Sequence, residues 1–415
     1  MRSRAWSSVP FRLLLVGQGV SSIGDGVAPV ALSFAVLDLT GSVRDLGLIL
    51  AARSLPLIAF VLLGGVLADR FPRKAMMLAS EAVRAAVQGA SAALLLTGTA
   101  HVWELAVLQA IYGAGQAFFG PASTGILPEM VGAEDLQDAN GLMGVSENLS
   151  SVVGPALGGV LVVAAGAGWG LAFDAAAFLV SAVSLQLMRL PDLTRPERRS
   201  AVTEMREGWR AFRSRRWLWT SVAALPLILV VVFAPLDVLG PAVARARLGG
   251  AGAWAAISVA TGVGAVLGGV AGMRWRPRYP LRTGFLLTIL GEPALLFLLA
   301  RGELLALIVA FALVSGLAST VFNVLWFTAL QREIPAEEIS RVSSWDHFGS
   351  YALQPIGLAI VGPIAIAIGV SATLYAAAGL AVLLTLAVLS VGAVRDFQLS
   401  PAPAAEAAPA DSSLP

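Results

Sequence analysis

Cysteine is absent from the 415 residues, and histidine occurs only at His101 and His347. Disulfides, thiol catalysis and metal sites built from thiolates or several imidazoles are therefore excluded. Charge is scarce too: Asp, Glu, Lys and Arg make up 13% of the chain, against ~25% in soluble proteins. No HExxH pair, Walker loop or ATP-hydrolysing domain occurs, which excludes a self-contained ATP-driven pump and leaves no constellation for an enzyme or a cofactor. The pI is 9.4, yet the net charge of +2 is too small for a nucleic-acid footprint.

What fills the chain instead is apolar. Hydrophobic residues reach 57% and mean hydropathy is +0.80, more than a soluble core can hide. A helix needs roughly 20 apolar residues to cross the hydrocarbon layer. Twelve such stretches run over about 11–37, 45–68, 75–97, 103–127, 138–164 and 169–188, then 217–240, 253–273, 283–300, 303–328, 341–367 and 371–394. They are rich in Gly, Ala and Ser, which let membrane helices approach closely. The ~10-residue alternating segments of a membrane barrel are missing. The first stretch runs past Leu37, too long for a signal core, and reads as a retained span. The expectation is an all-α polytopic membrane protein with twelve transmembrane helices.

Arginines set its orientation. With the N-terminus inside, the inner loops hold Arg2, Arg4, Arg12, Arg70, Arg73 and the single lysine, Lys74, followed by the arginine-rich 189–216 region, Arg274, Arg276, Arg278 and Arg282. The outer loops hold Arg44, Arg245, Arg247 and Arg301. This bias predicts cytoplasmic termini. Segment 190–216 divides residues 1–189 from 217–397, six spans each, and its stretch Glu204–Arg216 reads as an amphipathic helix at the inner surface. The Pro/Ala/Ser-rich tail 398–415 reads as disordered. A faint repeat at an offset of 203 places Gly65 on Gly268, Glu134-Asp135-Leu136 on Glu337-Glu338-Ile339, and Gly154 on Gly357. Two equivalent six-helix halves around a midplane site are a common transporter plan.

Between spans two and three stands Gly65-Val66-Leu67-Ala68-Asp69-Arg70-Phe71-Pro72-Arg73-Lys74. It resembles the signature loop of the major facilitator superfamily at every signature position but one, Pro72 replacing Gly. The resemblance implies the major facilitator fold of two pseudo-symmetric six-helix bundles, with Gly65, Asp69, Arg70, Arg73 and Lys74 as a cytoplasmic gate motif. Gly154-Pro155-Ala156-Leu157-Gly158-Gly159 in span five is similar to the antiporter motif of exporters, through Gly154, Pro155, Gly158 and Gly159; packing alone also accounts for it. Ser22-Ile23-Gly24-Asp25, Leu39-Thr40-Gly41-Ser42, Gly120-Pro121-Ala122 and Phe173-Asp174-Ala175 resemble the branch of enterobactin-type siderophore and macrolide exporters. The span-four arginine of many drug/proton antiporters is replaced by Gln109. The family implies a cavity between the halves, with Arg53, Gln109, Tyr112, Gln116, Asn148, Asn323, Trp326 and Gln354 as its candidate members.

Ionisable groups inside spans are functional candidates by default. Asp25 leads, either as a titrating carboxylate or in a fixed bridge to Arg53. Glu147, in a polar run of span five, and Glu292, in span nine, are further proton-coupling candidates. Glu81 and Arg84 are expected to neutralise each other near the inner end of span three, and Asp174 and Asp237 to be solvated near the outer surface. Asp346-His347 opens span eleven. The leading functional reading is a proton-coupled exporter of an amphipathic small molecule, working as a monomer in a bacterial cytoplasmic membrane. An importer of a nutrient or metal chelate on the same fold is one alternative, and a non-transporting receptor or assembly partner another.

Overall fold

The computed structural model describes residues 8–68, 71–127, 130–131, 135–189, 201–302 and 304–399. Among them every regular element is a helix. The first six are α1 (Val9–Thr40), α2 (Val43–Ala68), α3 (Arg73–Thr97), α4 (Val102–Ile126), α5 (Leu136–Ala165) and α6 (Ala167–Leu187). After α7 (Ala201–Ser214) come α8 (Arg216–Val243), α9 (Ala251–Arg274), α10 (Pro280–Arg301) and α11 (Leu305–Glu333). The chain closes with α12 (Ala336–Tyr351), α13 (Gln354–Ile368), α14 (Val370–Ser390) and the short α15 (Gly392–Arg395).

Each apolar stretch becomes one long helix, with one correction. The eleventh breaks at Ala352–Leu353, between α12 and α13, because Pro355 has no N–H to bond the Tyr351 carbonyl. Nine helices among the described residues are long and apolar enough to cross a membrane. α3 is not one of them; the polar side chains that dilute it are Glu81, Arg84 and Gln88. Outward faces are apolar, as in the α5 row Val145, Leu149, Val160 and Val163, each more than half exposed. Lipid, which needs no polar partner, is the solvent that fits such a row.

The 203-residue repeat runs through the whole fold. α6 superposes in sequence on α14, end to end: Ala167–Leu187 against Val370–Ser390. Gly166 joins α5 to α6 at φ +93°, and Gly369 joins α13 to α14 at φ +92°, a conformation that side-chain-bearing residues rarely adopt. Gly154 lets α5 close on α1, and its equivalent Gly357 lets α13 close on α8. Two six-helix bundles result, with the polar linker of the sequence between them. Its helix forms over Ala201–Ser214, and Trp209 meets Trp345 of α12 with tilted rings, centres 4.9 Å apart. α7 thus docks on the second bundle. Residues 190–200 and the tail from 400 onward lie outside the described residues.

We call the end that carries both termini the terminal face. The bundles meet mainly through α2 against α13 and α5 against α9. Each glycine contact across them lies at mid-depth or beyond, toward the opposite face. Gly47 meets Leu358, Gly362 meets Arg44, Gly159 meets Ala255, and Gly262 meets Ser151. Asp38 at the end of α1 pairs with Arg245 just past α8 at 2.9 Å. The far side is sealed. Because the chain has no native cysteine, Val163→Cys on α5 combined with Gly252→Cys on α9, where a Cβ at 252 comes 3.9 Å from a Val163 methyl, should give one defined disulfide. After proteolysis between the bundles, the two fragments should run as one band without reductant and as two with it. Separate bands under oxidising conditions would contradict this packing.

Candidate functional site

The first bundle has a polar interior, built by four of its helices. α1 supplies Asp25 from a depth of about 24 Å, sixteen residues beyond Val9 at 1.5 Å each. α3 packs on α4 and α6 and turns Glu81, Arg84 and Gln88 inward, spaced three and four residues apart so that they share one face. All three are buried. Arg84 sits between two acids, with Nη1 3.4 Å from Asp25 Oδ2 and Nη2 3.2 Å from Glu81 Oε2. Its guanidinium lies over the rings of Phe119 and Phe178, at 4.5 and 4.3 Å. Tyr112 donates its hydroxyl to Asp25 Oδ1 at 2.5 Å, and Ser181 donates to Glu81 Oε1 at 2.8 Å.

A second polar chain lies beside this one. Gln109 Nε2 donates to Gln88 Oε1 at 3.2 Å, and Gln88 Nε2 donates to Asp174 Oδ2 at 2.6 Å. Asp174 has no exposed surface, contrary to the solvated position expected from its place near the end of α6. The α1–α6 packing covers it. Gln109 and Tyr112 are also fully buried, so they build the network rather than line a cavity.

Arg53 does not bridge to Asp25. It donates to Gln116 Oε1 at 3.2 Å and lies over the Tyr112 ring at 4.2 Å, while Arg84 takes the Asp25 carboxylate. The pair Glu81–Arg84 forms as expected, but buried in the bundle. Asp25 alone among the three acids reaches water, its side chain 33% exposed. One network therefore connects a sealed interior to an accessible carboxylate.

The other candidates fall in separate places. Glu147 is exposed on α5, on the helix face between the Ser150–Gly154 row that meets α1 and the Ser151–Gly159 row that meets α9, which is the cleft side. Asn148 beside it is exposed, as is Asn323 on α11; Gln116 and Gln354 are half-buried. Glu292 is buried between α10 and α11, where Ser319 donates to it, and joins none of the other acids. Trp326 is buried and donates to Asp346 Oδ2 at 3.1 Å, a core role in place of the cavity role expected. Gly154 and Gly158 pack on α1, with the Pro155 ring against Gly26, whereas Gly159 reaches α9.

Of the gate loop, Asp69, Arg70 and the surroundings of Gly65 lie outside the described residues. Arg73 opens α3. Lys74 donates to the carbonyls of Gln186 and Met188, at 3.0 and 2.6 Å, and so caps the end of α6. Sequence reasoning missed the shared Arg84 and the buried Asp174–Gln88 pair. The available signal was the α3 spacing Glu81, Arg84, Gln88, which puts three polar groups on one face of a membrane helix.

The network belongs to one bundle only. At the 203 offset, Asp25, Glu81, Arg84, Gln88, Tyr112 and Asp174 correspond to Ile228, Gly284, Leu287, Gly291, Ser315 and Ala377. Stripping Arg84 of its charge would leave Asp25 and Glu81 without their shared counter-ion. Arg84→Gln should cost about 3–5 kcal/mol, the range for breaking a buried ion pair. Glu81→Gln added to Arg84→Gln should recover part of that loss, both read by thermal unfolding in detergent.

The sequence matches the family model of the Major Facilitator Superfamily over residues 14–345. The multidrug efflux pump Tap of Mycobacterium tuberculosis (strain ATCC 25618 / H37Rv) is 28% identical over 413 residues, covering 94% of this chain and 96% of that protein. Macrolide efflux protein A of Streptococcus pyogenes is 25% identical over 375 residues, covering 87% and 90%. Among solved structures, the nucleoside transporter NupG aligns with TM-score 0.73 at 14% identity, over 92% of this chain and 98% of that one. A bacterial homologue of the lysosomal transporter Spinster, inward-facing and unoccupied, aligns with TM-score 0.72 at 16% identity, over 95% and 98%. These two likenesses concern the fold.

Proposed function

The chain belongs to the Major Facilitator Superfamily, and from that footing we propose that it exports an amphipathic small molecule in exchange for protons. It is a membrane transporter and not an enzyme. The relatives named for multidrug and macrolide efflux support export and an amphipathic cargo, in line with the exporter-type motif on α5. The arginine distribution supports a cytoplasmic terminal face in a bacterial cytoplasmic membrane, so the sealed side is the exterior. Both bundles belong to one chain, which supports a functional monomer.

The observation that carries the proton reading is the accessibility of Asp25 within an otherwise closed polar network. With Asp25 ionised, Arg84 is held between two carboxylates on α1 and α3. A proton on Asp25 removes one of these attractions and leaves Arg84 to Glu81. The α1–α3 contact then weakens, and α1 is free to shift relative to its neighbours. Carrying one positive charge inward across the membrane releases ~2.3 kcal/mol per 100 mV, which can drive the cargo outward.

Inside-out vesicles with an acidified lumen, loaded with the dye Hoechst 33342, test this reading. The parent chain should accumulate dye, and Asp25→Asn should reduce the gradient-driven part at least tenfold with unchanged expression. Full accumulation by the Asn variant would remove Asp25 from the mechanism. Gradient-driven accumulation in right-side-out vesicles instead would make the protein an importer.

A further inference from the structure

We propose that Asp174 is a second proton-binding carboxyl of the transport cycle, placed beside Asp25. The proposal rests on the proton-coupled reading above and adds a residue to it. Where α1 and α6 touch, a Cβ on Gly24 would lie 3.2 Å from Asp174 Cα, so Asp174 sits at the depth of Asp25, the next residue along α1. Glu81, bonded to Ser181, lies closer to the terminal face. The three acids thus form one cluster inside the first bundle, with Asp25 and Asp174 side by side.

Charge counting favours a proton somewhere in this cluster. Three carboxyls, Asp25, Glu81 and Asp174, face two guanidiniums, Arg84 and Arg53. Arg84 is shared by Asp25 and Glu81, and Arg53 is occupied with Gln116 and the Tyr112 ring. Of the helices packed on α6, α1 contributes Asp25, and α3 contributes Glu81 and Arg84. α5 contributes Glu147 and, near its start, the exposed Asp138. Asp174 has only the neutral amide of Gln88, and its Oδ1 has no hydrogen-bond partner. An uncompensated charge buried in this way costs several kcal/mol; a proton on Asp174 removes that cost.

The backbone is shaped around this carboxyl. Gly24, next to Asp25, lies where any side chain would collide with Asp174 Oδ1 and the Ala177 methyl. The segments Ser22–Asp25 and Phe173–Ala175 therefore meet at one point. In the second bundle the position equivalent to Asp174 is Ala377, so the packing of this helix pair does not itself require an acid. During the cycle Asp174 takes up a proton and yields it to the neighbouring Asp25. Asp174 is left as a carboxylate held by Gln88, and no other bond changes.

Infrared difference spectroscopy of the full chain in liposomes, titrated between acid and alkaline pH, reads protonated carboxyls without any cargo. Of the carboxylic-acid C=O bands the parent loses on alkalinisation, two should belong to Asp25 and Asp174. Asp174→Asn should lack one of them, Asp25→Asn the other, and Asp174→Asn should release one proton fewer. A parent-like spectrum from Asp174→Asn overturns this proposal and leaves Asp25 untouched, whereas a parent-like spectrum from Asp25→Asn overturns the coupling reading itself. If Asp174→Asn does not fold, Gln88→Leu takes its place. Removing the amide should displace the midpoint of the Asp174 band by about half a pH unit or more, the scale of one weakened hydrogen bond, and an unmoved midpoint again overturns the proposal.

Discussion

Arg84 shared between Asp25 and Glu81 is the interaction on which the first bundle depends. A guanidinium inside a membrane bundle is tolerable only when its charge and its donors are met by the protein. Here two carboxylates meet the charge, and the rings of Phe119 and Phe178 flank the cation. Each acid is in turn tied to a different helix: Asp25 to α4 through Tyr112, and Glu81 to α6 through Ser181. The ion pair thereby fixes the mutual rotation of four helices, which apolar packing among small residues would leave poorly specified.

The second bundle solves the same packing problem without an ionic network; its buried acids Glu292 and Asp346 lie apart, each bonded to a neutral side chain. Along the 203-residue repeat its helices end where those of the first do, and its glycines make equivalent contacts. Leucine, isoleucine, alanine, glycine and serine stand where the first bundle has its ionic network. Two copies of one fold have therefore diverged in chemistry and not in shape. In the proposed cycle the first bundle holds the titrating groups, and the second supplies the surface against which it moves. The aromatic contact of Trp217 with Trp326 ties α8 to α11 on that side.

Much of this was legible in the sequence. Span positions, the six-plus-six plan and Asp25 all follow from apolar run length, charge scarcity and a family-like loop, because lipid imposes strong one-dimensional constraints. The partners of the buried acids did not follow. Distance from a helix end suggested water near Asp174, yet solvation is decided by the helices packed around it, and α1 comes close enough there only because residue 24 is glycine. Depth in the membrane points to Arg53 as the partner of Asp25, and sequence spacing ties Arg84 to Glu81. Choosing between them requires knowing which face of α2 and α3 each arginine occupies. Trp326 and Tyr112 were read as cavity residues from their type, whereas each has its polar atom satisfied by an aspartate inside a bundle.

The position of α5 explains how chemistry at Asp25 could reach the far-side seal. Gly26, one residue past Asp25, packs directly on Gly154, and Val27 packs on Gly158. With no side chains between them, α1 and α5 must move as one body at this level. The next residue of the motif, Gly159, faces the other way and meets Ala255 of α9 across the bundle boundary. A shift of α1 that follows loss of the Asp25–Arg84 attraction is thus delivered through two glycine contacts to the surface that closes the far side. Bulkier residues at 154 and 158 would separate the helices and admit slack. The packing role and the mechanistic role of this motif are then one property, since close backbone contact is what couples the proton site to the gate.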